Sequence, residues 1–279
     1  MKLDGMKLDD LPLATGAAAR ANDADAAWRE LHRAACAPYR QAGPFAWHFA
    51  RGKLGRDPVF RGLLERGDLR AGARVVDIGC GQGLLASLLQ SCADLASAGR
   101  WPQAWPAAPR AASYLGIELM ARDVARARQA TSALAIDPAY ECADMRRAVL
   151  PPCDLVVILD VLHYVDPAAQ SALLTRVRDA LLQGRGTVGG VGPADPTGPR
   201  RLLLRVGDAA STRGFAISQW VDRAVTLARG HKAPPTWGRP LAEWVELLRG
   251  LGFAVRSVPM SQGTPFANVL LVADVLGRA

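Results

Sequence analysis

The chain has 279 residues, half of them hydrophobic, and a formal net charge of +8. This length and composition allow one enlarged domain or two small ones with a sizeable core. No apolar run reaches the roughly 20 residues that a membrane-spanning helix requires, and the N-terminus shows no apolar segment typical of a secretory signal, so membrane insertion is not expected.

The five cysteines are odd in number, and no two of them have the CxxC spacing that is typical of zinc or redox sites. A disulfide framework and a metal site are therefore not expected. Reduced thiols are typical of a cytoplasmic protein, which is the location that we expect.

The first part of the chain is predicted to form a helical cap. We expect residues 1–24 to be a flexible N-terminus and residues 25–69 to form the cap, with a first helix over residues 25–37. A second short helix is well signalled, because Asp57 is a typical N-cap residue and Pro58 then occupies the first turn.

From residue 70 onward the pattern changes to alternating strands and helices. The predicted strands are 75–78, 114–117, 140–142, 155–159, 187–191, 254–258 and 268–273. Alternation of this kind predicts an α/β domain with a mostly parallel sheet and helices on both faces. We expect residues 70–279 to form this domain, with a lid insertion over residues 193–239 after the fifth strand.

A glycine-rich turn follows the first strand of this domain and opens a helix. The residues at this turn that we expect to bind a cofactor are Asp77, Gly79, Cys80, Gly81 and Gly83. Glycines let the backbone turn tightly and let a ligand approach its N–H groups. A dinucleotide fingerprint would place a further glycine where Leu84 stands, which disfavours an NAD-dependent oxidoreductase. The alternative is a turn with structural glycines only.

The G-x-G-x-G pattern resembles the first motif of class I S-adenosylmethionine-dependent methyltransferases, in which the turn holds the methionine part of the cofactor. The C-terminal Leu251-Gly252-Phe253 also resembles this family, and the resemblance covers roughly residues 70–192 and 239–275. It implies S-adenosylmethionine as cofactor and a seven-stranded Rossmann-like sheet that ends in an antiparallel hairpin.

Two acids follow the next strands. Glu118 ends the second strand, where a carboxylate can accept hydrogen bonds from ribose hydroxyls. It follows the glycines by more than the usual separation of about 20 residues, because a Trp/Pro-rich segment is inserted before it. Asp144 resembles the family's acid that contacts the adenine amino group; a solvated loop acid is the alternative. Their neighbours Leu119 and Met145 are also expected to contact the cofactor.

Two histidines are candidates for a general base. A hydroxyl nucleophile benefits from such a base, so O-methylation is the favoured reaction. Asp160 and His163 follow the fourth strand and resemble the family's fourth motif. Asp160 can bond the cofactor's ammonium, and the imidazole of His163 can remove a proton from an attacking hydroxyl. His163 packing under the next helix is the alternative. His48 is the second candidate, and a core position among aromatic residues is its alternative reading.

A narrower resemblance concerns the acceptor. Residues 45–54 and 116–124 look like methyltransferases from bacterial aryl-polyene pigment clusters of the xanthomonadin-like type. This implies a small-molecule acceptor such as an aryl head group or a related polyketide or fatty-acid-like intermediate.

The predicted insertion has an excess of positive charge. Residues 195–239 contain eight basic and three acidic residues, together with three aromatic ones. That composition suits an acidic substrate or an acidic acyl carrier protein, and a solvated helical lid is the alternative. A nucleic-acid partner is not expected, because no recognisable binding module appears. A nucleic-acid methyltransferase and a catalytically silent cofactor-binding scaffold remain as alternative functions.

Overall fold

A computed structural model of the chain describes residues 12–184, 198–208, 236–260 and 268–276, with side chains from residue 21 onward. The helices are α1 (Pro12–Cys36), α2 (Pro44–Arg56), α3 (Pro58–Glu65), α4 (Leu84–Ser97), α5 (Ala121–Thr131), α6 (Pro167–Gln183) and α7 (Leu241–Gly250). The strands are β1 (Ala73–Ile78), β2 (Ala111–Glu118), β3 (Ala139–Cys142), β4 (Leu155–Leu159), β5 (Arg201–Gly207), β6 (Phe253–Pro259) and β7 (Asn268–Val275). The described residues also contain two short 3-10 turns, Ala37–Arg40 and Leu162–Tyr164.

The seven strands form one sheet in the order β3-β2-β1-β4-β5-β7-β6. The first five strands pair in parallel, and β7 pairs antiparallel with both β5 and β6. The predicted fold class, a mostly parallel α/β sheet that ends in an antiparallel hairpin, is confirmed. The carboxyl ends of β1 to β5 consequently meet at one edge, which is where α/β sheets bind ligands.

Helices cover the sheet on both faces and divide its apolar residues between two cores. One core joins α1 to α5 with one face of the sheet, and the other joins α6 and α7 with the opposite face. The central strand β4 reads LVVIL, and its residues Leu155 to Ile158 are buried on both faces. An unbroken apolar strand is the pattern expected at this position.

The fifth strand lies later in the chain than the sequence predicts. The strand that pairs with β4 is Arg201–Gly207, which the sequence analysis assigned to the lid insertion 193–239. The predicted fifth strand, 187–191, falls outside the described residues. The insertion boundary is therefore wrong: residues 201–207 belong to the centre of the sheet, and of the segment between β5 and α7 the structure describes only residues 208 and 236–240.

The N-terminal cap begins earlier than predicted and packs against the glycine turn. Helix α1 starts at Pro12 and so includes residues 12–24, which were expected to belong to the flexible N-terminus. The Ser87 hydroxyl donates to the Ala35 carbonyl (2.8 Å), and the fully buried Tyr39 hydroxyl donates to the Gln82 carbonyl (2.9 Å). These bonds fix the cap directly against the turn between β1 and α4.

Helix α3 confirms the capping prediction. The Asp57 carboxylate accepts from the Val59 backbone N–H (3.1 Å), and Pro58 begins the helix.

Across the described ranges, no helix is both long and apolar enough to span a membrane. Within the same ranges, no three His, Cys, Asp or Glu side chains are grouped as a metal site would require.

Candidate active site at the carboxyl edge of the sheet

The glycine turn between β1 and α4 is held in a conformation that favours glycine. Gly79, Gly81 and Gly83 have φ values of 76°, 55° and 74°, in the left-handed region. A Cβ on Gly79 would lie 2.5 Å from the Val161 side chain, and one on Gly83 would overlap the Tyr140 hydroxyl. A Cβ on Gly81 would meet nothing within 4 Å. The turn is thus packed on two sides and open at Gly81, where a ligand can approach the backbone.

The Glu118 carboxylate is oriented by the turn itself. One oxygen accepts from the Gly81 backbone N–H (3.0 Å), and the other accepts from the Met120 backbone N–H (2.9 Å). The side chain is half-buried. An ionised carboxylate can accept about four hydrogen bonds, so these two leave acceptor capacity on a fixed group beside the open face of Gly81.

Asp77 lies beneath the turn. It is 5% exposed and accepts a hydrogen bond from the Tyr114 hydroxyl (2.6 Å). Burial raises the pKa of the Asp77 carboxyl to about 7; the Tyr114 hydrogen bond opposes this shift and the charge of Glu118 adds to it. The structure therefore gives Asp77 a partner inside the sheet, while its predicted contact with a cofactor stays a prediction.

The other predicted cofactor residues lie around this edge with different exposure. Cys80 is buried in the turn, Leu119 is 62% exposed and Met145 is half-buried. Asp144 is paired with Arg146, whose Nη2 lies 2.5 Å from its carboxylate. Hydrogen bonds from the Arg146 side chain lower the pKa of the Asp144 carboxyl below its usual range. Partial burial of the Asp144 carboxyl opposes this shift but is the smaller effect. Any ligand that contacts Asp144 would therefore meet a carboxylate that already has a cation.

Asp160 belongs to an ion-pair cluster after β4 that is centred on the buried Arg205. The Asp160 backbone has φ 61°, which is uncommon for a residue other than glycine and occurs preferentially at functional sites. Arg205 Nε lies 2.7 Å from Asp160 Oδ1, and Arg205 Nη2 lies 2.6 Å from Asp57 Oδ2. Lys53 Nζ lies 2.8 Å from Asp57 and 3.4 Å from Asp160. We call these four side chains the Arg205 cluster.

The charges of the Arg205 cluster balance. Burial alone raises the pKa of the Asp57 carboxyl, but hydrogen bonds and charge from Arg205 and Lys53 outweigh it, and the pKa lies well below its usual range. The pKa of Asp160 is lowered for the same reasons. Both carboxylates are therefore ionised at neutral pH, and the cluster ties the cap (Asp57 and Lys53) to β4 and β5.

His163 lies in the 3-10 turn that follows Asp160. Its ring centroid is 4.2 Å from that of Tyr164, and its carbonyl accepts from the Trp237 backbone N–H (2.8 Å). Gln170, which is fully buried, donates to the carbonyls of Val165 and Trp237, both at 3.0 Å. The turn that carries His163 is thus fixed to the segment before α7.

His48 lies on α2 and is exposed, with its ring 4.8 Å from that of Trp47. The alternative reading of His48 as a core residue is therefore wrong.

Two of the predicted site segments meet at the glycine turn. Glu118 contacts it through the Gly81 N–H, and the segment after β4 contacts it through Val161, which packs against Gly79.

Sequence reasoning missed Arg205 and Gln170. A charged residue within the apolar run of β5, which reads RLLLRVG, is the one local signal of a buried ion pair.

Two basic residues that were predicted to belong to the lid lie elsewhere. Arg200 pairs with Asp154 and Arg201 with Asp274, both at the amino end of β5 and opposite the candidate site. The charges of these two residues are therefore paired within the fold, and docking of an acyl carrier protein on the rest of the insertion stays a prediction.

No protein-family model matches the chain, and no curated protein matches it. Solved structures share its fold. Magnesium protoporphyrin IX methyltransferase from Synechocystis PCC 6803, with bound SAH, has 21% identity and a TM-score of 0.50, over 86% of this chain and 93% of that one. The pyocyanin biosynthetic protein PhzM has 20% identity and a TM-score of 0.52, over 82% of this chain and 58% of that one.

An O-methyltransferase family protein from Burkholderia thailandensis has 16% identity and a TM-score of 0.50, over 86% of this chain and 63% of that one. The chain thus spans nearly the full length of the first of these structures and about three fifths of the other two. At these identities the likeness establishes the fold, which is the Rossmann-like fold of class I methyltransferases.

Proposed function

We propose that the chain is an S-adenosylmethionine-dependent methyltransferase that acts on a hydroxyl group of a small molecule. The observation that carries this proposal is the Glu118 carboxylate, held by the Gly81 backbone N–H beside an open glycine face. A fixed carboxylate at the end of β2 is suited to two neighbouring ribose hydroxyls, because it accepts a hydrogen bond from each.

The residues at this edge fit such a cofactor. Gly81 leaves room for a ligand, Glu118 offers acceptors for a ribose, and Asp160 offers an anion for an ammonium group. The cofactor supplies an electrophilic methyl group when it is bound. The chain's own residues then have to orient the acceptor and exclude water, which is the work of the cap and of the segment after β4.

The acceptor proposed is an aryl compound with a free hydroxyl. Two of the structures that share this fold have names that refer to small molecules: magnesium protoporphyrin IX methyltransferase and the pyocyanin biosynthetic protein PhzM. Their names support a small-molecule acceptor. The aryl assignment rests on the resemblance of residues 45–54 and 116–124 to enzymes of aryl-polyene clusters. Delivery by a carrier protein stays a prediction, since most of the predicted insertion lies outside the described residues.

Calorimetric binding of S-adenosylmethionine, S-adenosylhomocysteine and NADH tests the cofactor class. We expect the first two to bind with micromolar affinity and NADH not to bind. Glu118→Ala is expected to weaken both by about 10- to 100-fold, because it removes charge-assisted hydrogen bonds to the ribose. Gly81→Arg is expected to abolish binding, because its side chain would occupy the open face.

Glu141→Ala is the matched control, since this exposed glutamate lies on β3 and is expected to leave all three affinities unchanged. Binding of NADH alone would replace the proposal with an oxidoreductase. Absence of binding by all three ligands to a folded protein would refute the cofactor assignment.

The chain's own base for the reaction is proposed to be His163. His163→Ala is expected to lower kcat for a phenolic acceptor by about 100-fold or more, because a positioned base typically contributes that much. The affinity for S-adenosylmethionine should change by less than about twofold, since the base acts on the acceptor. Turnover of a panel of hydroxylated aryl acids, with calorimetry alongside, provides both numbers.

His48→Ala is the companion variant, because His48 is the second candidate. A loss of turnover in that variant alone would transfer the role to His48. Turnover that is unchanged in both variants would mean that neither histidine is the base. Cofactor binding without turnover of any acceptor would favour the catalytically silent scaffold.

A further inference from the structure

Lys53 and Arg205 contact the same two carboxylates, but they are held very differently. The Arg205 side chain is 2% exposed and donates to both carboxylates: Nε contacts Asp160, Nη1 contacts Asp57, and Nη2 contacts both. The Lys53 side chain is 36% exposed, and its contact with Asp160 is long at 3.4 Å. Arg205 is therefore a fixed partner of Asp160, while Lys53 is a partner that water and ligands can reach.

Asp160 stands next to the glycine turn. Its chain neighbour Val161 packs against Gly79, so the segment after β4 contacts the start of the turn directly. The Asp160 side chain is 31% exposed, so its carboxylate stays accessible to a ligand while Lys53 Nζ lies 3.4 Å from its Oδ2. An ammonium group that reaches this carboxylate from the turn must share it with the Lys53 ammonium.

Charge balance makes this sharing unfavourable. Asp57 and Asp160 carry two negative charges, and Arg205 and Lys53 carry two positive ones. A third cation at Asp160 would leave a surplus positive charge in a partly buried site, unless Lys53 moves away. Lys53 can move without losing its other partner, because Asp57 lies one helical turn further along the chain and 2.8 Å from Nζ.

We propose that Lys53 is an exchangeable internal cation, which holds the place of a ligand ammonium on Asp160 and is displaced when that ligand binds. The inference rests on the proposed function, in which the ligand is the amino-acid part of the cofactor. It adds a device that adjusts cofactor affinity: Lys53 neutralises Asp160 while the site awaits the ligand, and it competes with the ligand's ammonium on binding.

Three thioether nucleosides separate this idea from other roles of Lys53. S-adenosylhomocysteine carries an ammonium and a carboxylate, aminopropylthioadenosine carries the ammonium alone, and methylthioadenosine carries neither. In Lys53→Met, we expect aminopropylthioadenosine to bind about three- to tenfold more tightly by calorimetry, because its competitor is gone. Methylthioadenosine should bind as it does to the wild-type protein. Asp160→Asn should remove the preference for aminopropylthioadenosine over methylthioadenosine.

Arg56→Met is the matched control, since it removes one positive charge from the same helix at an exposed position outside the cluster. It should leave the ratio of the two affinities unchanged, and thermal unfolding verifies that each variant is folded. An unchanged or weaker affinity of Lys53→Met for aminopropylthioadenosine would overturn the inference. Failure of all three nucleosides to bind the wild-type protein would instead refute the proposed function.

Discussion

Replacing Arg205 with methionine is expected to lower the free energy of unfolding by about 3–5 kcal/mol. Arg205 lies in β5 with 2% of its side chain exposed, and it pairs with Asp57 and Asp160. Methionine fills a similar volume but leaves two ionised carboxylates close together with Lys53 as their remaining cation. Breaking a buried pair by removing one partner is far costlier than replacing the whole pair. Chemical denaturation at neutral pH measures the loss.

Arg146→Met is the control for this experiment, because Arg146 pairs with Asp144 at a surface position where 56% of its side chain is exposed. Surface pairs contribute much less to stability than buried pairs, because water and salt screen them. Arg205→Lys keeps the charge but loses the forked donor, so its loss should be intermediate. A loss in Arg205→Met no larger than that in Arg146→Met would contradict the assignment of the cluster as a stabilising element.

The effect of Arg205 should also depend on pH. The folded pKa of Asp57 is lowered below its unfolded value of about 3.9, so its contribution to stability is present above that pH and is lost on acidification. The stability difference between wild type and Arg205→Met should therefore shrink as the pH falls below about 4. A constant difference over this range would mean that packing, and not charge, explains the loss.

The centre of the fold could be predicted because its signals are local. The residues of β4 form an unbroken apolar run, and the strand lies where predicted, at Leu155–Leu159. The turn from Gly79 to Gly83 follows an apolar strand and opens a helix, so its conformation could be inferred from neighbouring residues alone. Asp57 likewise caps α3 through Val59, only two residues away.

The fifth strand could not be predicted by the same reasoning. Residues 187–191 read TVGGV, which resembles a strand by composition, whereas Arg201–Gly207 begins with a charged residue and contains a second. Arg205 is tolerated there because Asp57 and Asp160 neutralise it, and these lie 148 and 45 residues away in the chain. No pattern in the neighbouring sequence indicates partners so far away in the chain. For this reason neither the fifth strand nor the Arg205 cluster could be predicted.

In the candidate site, too, the positions of residues could be predicted from the sequence, but their contacts could not. Glu118 and Asp160 could be located from strand ends, because parallel strands place their carboxyl ends at one edge. Their actual environments depend on contacts between distant elements: the Gly81 N–H orients Glu118, and Lys53 of the cap contacts Asp160. Sequence reasoning therefore found the positions but not which of them are already paired within the chain.

Asp77 offers a second large effect, because it is a buried acid whose pKa is raised to about 7. Its unfolded value is about 3.9, so between these two pH values the unfolded chain loses a proton that the folded protein keeps. Stability contributed by this group is thus complete at acidic pH and falls as the pH rises towards 7. The sign is opposite to that of Asp57, so the two acids can be distinguished by their pH profiles.

Asp77→Asn should remove this dependence. Asparagine keeps an oxygen that accepts from the Tyr114 hydroxyl but cannot ionise, so the variant should gain about 2–4 kcal/mol relative to wild type between pH 4 and pH 8. Denaturant unfolding across this range measures the gain, and any packing difference appears as a constant offset. Tyr114→Phe removes the hydrogen bond that opposes the shift and should extend the wild-type fall to higher pH. Parallel pH profiles for wild type and Asp77→Asn would mean that Asp77 is ionised in the folded protein throughout, and that burial does not control its charge.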